Sequence, residues 1–147
     1  MVPATGAVYV PWWILRSGGG YVPRPVVWQA AAVIAAGLAL YVWCLWHFAT
    51  TGRGTPGPWD PPRHFVAVGP YRFVRNPMYI SAGLVIVGEA LLFLSLALVI
   101  YLVVVGLVVH LFVVAYEEPT LRRLFGEDYM AYLRTVPRWL PRRPNPR

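Results

Sequence analysis

Lysine is missing altogether from this chain, cysteine occurs once, and charged residues make up only 13% of its 147 positions. Each shortage excludes something. A soluble domain carries about 25% charged residues, so this chain, 58% hydrophobic, reads as an all-α integral membrane protein. At this length a single domain is expected, with no separate soluble domain beside its spans. The lone cysteine, Cys44, rules out an intramolecular disulfide and a cysteine-based metal cluster. It lies in an apolar helix and reads as a packing residue, and no metal site is expected. Arginine carries all 13 positive charges, and with six acidic residues the net charge is +7. These arginines sit in loops beside apolar stretches, a pattern of topology and anionic lipid headgroups and not of nucleic-acid binding. The N-terminus lacks a basic region followed by an apolar one, so no cleavable signal peptide is expected.

Apolar runs set the organisation. Residues 1–25 include a short apolar piece, Val8 to Leu15, interrupted by Pro11 and ended by Arg16 and three glycines. It reads as an interfacial segment anchored by Trp12 and Trp13, or as the tail of a helix that begins outside this sequence. Residues 26–49 form the first span. They carry no charged side chain, and at about 1.5 Å per residue they reach roughly 36 Å. Residues 50–74 are dense in proline and glycine and read as a stiff loop. Residues 77–117 form a hairpin of two spanning helices with a tight turn near Ser95, giving three transmembrane helices in all. Residues 119–141 read as one or two interfacial amphipathic helices, broken near Gly126, followed by an aromatic and cationic anchor. Four arginines flank the hairpin's polar mouth on one side and seven follow Glu118, against Arg16 and Arg24 across the first span. That bias places the mouth and the C-terminus in the cytoplasm.

Polar chemistry gathers at that mouth. Asn76-Pro77 is a helix start, a capping side chain before a proline at the first helical position. The free amides of such a start also hold anionic groups. Glu117 and Glu118 end the return helix, where the helix dipole disfavours negative charge. Arg75, Arg72 or a cationic ligand is expected to offset them. Tyr71, Tyr79 and Tyr116 offer aromatic faces for a cation or an adenine ring, or simply form the interfacial belt. Glu89 and His110 are the ionisable groups inside the hairpin. They are functional candidates, or a mutual hydrogen bond that locks the two helices, which is the reading preferred here.

Taken in order, Gly69-Pro70-Tyr71, Arg75-Asn76-Pro77-Met78-Tyr79, a hairpin, Glu117-Glu118, Leu121, Phe125-Gly126-Glu127-Asp128-Tyr129, Tyr132 and Val136-Pro137-Arg138-Trp139 resemble one superfamily. It is that of the isoprenylcysteine carboxyl methyltransferases and phospholipid methyltransferases, and the resemblance runs from about Arg63 to Pro141. What it implies is S-adenosylmethionine bound in a cytoplasm-facing pocket. By that resemblance His64, Phe65, Val66, Tyr71, Asn76, Pro77, Met78, Tyr79 and Glu117 map onto cofactor-binding positions. Arg72, Arg75, Arg138, Glu118, His110 and Glu89 are substrate candidates, with Arg72 or Arg138 holding an anionic headgroup. One departure is evident. Eukaryotic prenylcysteine enzymes carry a substrate-contacting arginine one turn before the glutamate pair, and Val113 stands there in this chain.

The implied activity is methyl transfer to a lipid or lipid-like acceptor that enters from the bilayer, in a bacterial inner-membrane protein; from the three spans alone, a homodimer that completes the lipid-facing wall is a further expectation. Two alternatives stand beside it. One is an NADPH-dependent membrane reductase of the steroid 5-alpha-reductase kind, although Gly88-Glu89 lies too far from Tyr79 for its usual pattern. The other is a non-catalytic small membrane protein.

Overall fold

The computed structural model describes residues 2–16, 24–52 and 67–142. Every regular element among the described residues is helical: α1 (Val2–Leu15), α2 (Arg24–His47), α3 (Pro77–Phe93), α4 (Leu96–Phe112) and α5 (Glu118–Thr135). Two π-helical turns, Phe48–Gly52 and Val113–Glu117, extend α2 and link α4 to α5, and a 3-10 turn covers Gly69–Arg72. Two helices are long and apolar enough to cross a membrane, Val26–Thr51 and the continuous Leu96–Thr135. The 17 residues of α3 reach only about 26 Å. The helix that begins at α2 also runs further than the sequence reading placed it. Thr50 Oγ1 donates to Trp46 O at 2.8 Å, and the turn through Gly52 occupies the start of the expected loop.

The chain divides into two compact units, residues Met1–Tyr41 with Met78–Val108, and Val42–Pro77 with Val109–Arg147. In the first, α2 and α3 approach closely through small residues. A Cβ on Gly37 would lie 2.9 Å from Ser81 O, and one on Gly88 would lie 3.0 Å from Ala30 O. Ala30 and Ser81 are fully buried beside them, so backbone meets backbone as it does between membrane helices. The α3–α4 turn is tight, as its lack of charge predicts. Leu94 takes a left-handed φ of 46°, Ser95 N–H returns to Ala90 O, and Ser95 Oγ caps α4 by accepting from Leu98 N at 3.4 Å. Tyr101 Oη ties α4 to α1 by donating to Gly6 O at 2.9 Å. Outward-facing Leu96, Val103, Leu107 and Val108 are more than half exposed, the composition of a lipid-facing surface.

The second unit holds the polar chemistry. In α5 the helical pattern breaks at Gly126 (φ 50°), where the sequence placed a break. Tyr129, Tyr132 and Val136 form a small core with Ala67, Leu121, Phe125 and Leu133 around it.

Candidate functional site

Glu118 is 4% exposed, at the first position of α5. A carboxylate taken so far out of water needs strong partners, and it has two arginines from opposite directions along the chain. Its Oε1 accepts from Arg138 Nε at 2.7 Å and from a terminal nitrogen of Arg75 at 3.1 Å. Its Oε2 accepts from a second Arg138 nitrogen at 3.0 Å. Arg138 thus makes a bidentate fork, the strongest geometry an arginine offers a carboxylate. A third arginine, Arg122, stands 3.9 Å from Oε2 on the exposed side. Burial opposes ionisation of Glu118, but hydrogen bonds and positive charge from Arg138 and Arg75 outweigh it and hold the carboxyl below its ordinary value. The hydrogen bonds that Arg138 donates to Glu118 also keep its guanidinium charged to still higher pH.

Arg75 does more than neutralise. Its Nε donates to Val136 O and its remaining terminal nitrogen to Leu133 O, both at 2.6 Å. Those carbonyls belong to the C-terminal end of α5, which a regular helix leaves without partners. Its backbone N–H reaches Pro137 O at 2.9 Å. Neighbouring bonds continue the seam. Asn76 Nδ2 donates to Arg138 O at 3.3 Å, Tyr132 Oη to Tyr71 O at 2.6 Å, and Arg142 N–H to Phe73 O at 3.0 Å. Burial pushes the Tyr132 hydroxyl up, and burial with the nearby Glu118 charge pushes Tyr129 up to about 12. Both phenols therefore stay protonated as donors at neutral pH.

The other end of the box rests on α2. Gly69 has a φ of 58°, and a Cβ there would collide with the His47 ring, so only glycine meets both demands. Tyr71 hydrogen-bonds with its side chain to the buried Cys44. Cys44 thus has a polar partner in addition to the packing role read from sequence.

The π-helical turn at Val113–Glu117 explains how two α4 and α5 residues share a face. His110 and Glu118 are eight positions apart and would lie about 80° apart around a regular helix. The extra residue that a π turn absorbs cancels most of that offset. Each then takes a partner from the same short segment: Glu118 takes Arg138, and His110 Nδ1 accepts from Trp139 Nε1 at 3.0 Å.

The sequence-derived candidates fall into groups. Arg75, Asn76, Glu118 and Arg138 are brought together in one bonded cluster, with the carbonyl of Tyr71 joined to it through Tyr132. Pro77 is buried at the start of α3, followed by buried Met78 and half-buried Tyr79. Glu117 is half-buried at the end of the π turn, and Tyr116 is 49% exposed and stacked on Phe112 with ring centroids 5.2 Å apart. Arg72 is exposed. His64, Phe65 and Val66 lie outside the described residues. Glu89 and His110, which the sequence pairs, fall in different units. The imidazole takes its bond from Trp139, whereas Glu89 Oε2 is buried with no hydrogen-bond partner among the described residues. Charge offset at the glutamate pair comes from Arg75, as the sequence anticipated, and also from Arg138, which it did not connect to Glu118. The signal for Arg138 was its place after Val136-Pro137, but nothing local reveals a partner twenty residues back.

Two helices long and apolar enough to cross a membrane mark a helical membrane protein. Residues 26–128 match the family described as phospholipid methyltransferase, well over half of the chain, and the protein belongs to that family. The family is one of membrane methyltransferases. Comparisons with curated proteins and with solved structures gave no match.

Proposed function

We propose that the protein is a membrane-embedded, S-adenosylmethionine-dependent methyltransferase acting on a lipid or lipid-like acceptor. The family match carries this reading, since it spans both the Gly69–Tyr79 box and the glutamate pair. The residues present suit the donor. S-adenosylmethionine offers a sulfonium, an ammonium, a carboxylate and an adenine ring. A carboxylate at Glu117, rings at Tyr71, Tyr79 and Tyr116, and the helix start at Asn76-Pro77 supply complementary chemistry. When bound, the sulfonium provides an already activated methyl group, so little acid–base work falls to the protein.

The work left to this chain is placement and exclusion of water. Glu117 would hold a cation, and Asn76, Pro77, Met78 and Tyr79 would line the donor side. Arg72, exposed beside the box, would meet an anionic headgroup. Arg75 and Arg138 act inside the protein by holding Glu118. The same reading takes α3 as a third span paired with α4. It places the polar mouth and the C-terminus on the cytoplasmic side of a bacterial inner membrane, and pairs two copies along their lipid-facing helices. The family favours methyl transfer over the reductase alternative.

Purified protein in nanodiscs should move a labelled methyl group from S-adenosylmethionine into an organic-extractable lipid. Glu117→Ala is expected to abolish donor binding while the protein stays inserted. Unchanged binding in that variant would remove Glu117 from the site, and label that never enters any lipid fraction would refute the lipid acceptor.

A further inference from the structure

The family match ends at residue 128, yet several of the bonds that hold the box come from beyond it. Pro137 O takes the Arg75 N–H, Arg138 O takes the Asn76 amide, and Arg142 N–H reaches Phe73 O. Arg138 and Trp139 in turn fasten this segment to α4 and α5, through Glu118 at 2.7 and 3.0 Å and through His110 at 3.0 Å. The chain leaves the helix at Val136 with an extended backbone (φ −112°, ψ 125°), and residues 136–142 are not helical. The segment's own backbone groups are therefore available to pair with residues 73–76. Without it the Arg75 amide, the Asn76 side chain and the Phe73 carbonyl would each lose a partner.

We propose that residues 136–142 are a strap that positions the Gly69–Pro77 box, with Arg138 and Trp139 as the positioning residues that fasten it. The inference rests on reading that box as the donor-binding segment. Neither residue touches the reacting atoms. Arg138 acts by fixing its own carbonyl under Asn76 and its guanidinium on Glu118. Trp139 is a pure donor, so its bond fixes His110 with Nδ1 unprotonated and anchors the strap at a second point. An error of about 1 Å in the placement of binding groups can lower function by about 100-fold, so the strap is expected to govern affinity for the donor.

The test uses the full chain in nanodiscs, with hydrogen exchange of the peptide covering residues 69–77 measured beside calorimetric binding of S-adenosylmethionine. The variants are Arg138→Ala, Arg138→Lys and Trp139→Phe, with Arg123→Gln, an exposed change on α5, as control. Arg138→Ala is expected to speed exchange at 69–77 while the interiors of α3 and α4 stay protected, and to weaken donor binding by up to about 100-fold. Arg138→Lys keeps the charge but loses the fork and should fall between. Trp139→Phe should loosen the box less, and the control should change nothing. If Arg138→Ala fails to fold, Arg138→Lys and Trp139→Phe decide the matter in the same way. Unchanged exchange at 69–77 would overturn the strap, as would faster exchange with unaltered affinity. A wild-type protein that binds no donor would refute the methyltransferase reading, while the exchange measurements would still decide whether the strap holds the box.

Discussion

At the scale of single residues, Glu118 accepts from one arginine 43 positions before it and another 20 positions after it. Such a pair is not a strong source of net stability, but removing one side leaves buried charge without compensation, at about 3–5 kcal/mol. Glu118→Ala should therefore lower stability by that amount, measured as unfolding in detergent, whereas Arg122→Ala should cost less than about 1 kcal/mol because that pair is exposed and long. The pH dependence has a definite sign. Glu118 titrates lower when folded than when unfolded, so its contribution is complete above the ordinary glutamate value of 4.5 and is lost as pH falls through the depressed folded value. Glu118→Gln should flatten that acid limb, and an unchanged limb would show that other carboxylates produce it. The sequence made Glu117 and Glu118 stand out together because adjacent carboxylates at a helix end are costly. The resemblance gave them different roles, Glu117 toward the cofactor and Glu118 toward the substrate, but not different burial, since which of the two turns inward depends on the π turn, a feature that side-chain pattern does not encode.

Among the elements, the hairpin was readable because its determinants are local: Asn76-Pro77 starts α3, Ser95 caps α4, and uncharged residues allow a tight turn. The break at Gly126 was readable for the same reason. The seam between residues 71–76 and 132–142 was not, because its bonds join side chains to backbone carbonyls some sixty positions apart. The π turn offers a direct test of its role. Inserting a second alanine after Ala115 would add one residue that the turn cannot absorb and rotate Glu118 by about 100° away from Arg138. Its thermal midpoint should fall well below that of Ala115→Gly, and equal midpoints would show that the turn does not set the register. In the first unit, Gly88→Leu should be strongly destabilising, since a Cβ already meets Ala30 O at 3.0 Å and overpacking costs about 1–3 kcal/mol or more.

For the molecule as a whole, composition disclosed the membrane environment and the all-helical class, and the order of the polar boxes disclosed the family. The division of labour at the helix ends came only from the geometry. Arg75 and Arg138, read from sequence as substrate candidates, are engaged within the protein by Glu118 and, for Arg75, by the carbonyls that end α5; it is the proposed function that gives ligand contact to Glu117, the tyrosines and Arg72. Calorimetric binding of S-adenosylmethionine and of NADPH to the same preparation of full-length protein tests this most directly. Saturable binding of S-adenosylmethionine, absent for NADPH, is the expected result; binding of NADPH alone, or of neither by a folded sample, would contradict it.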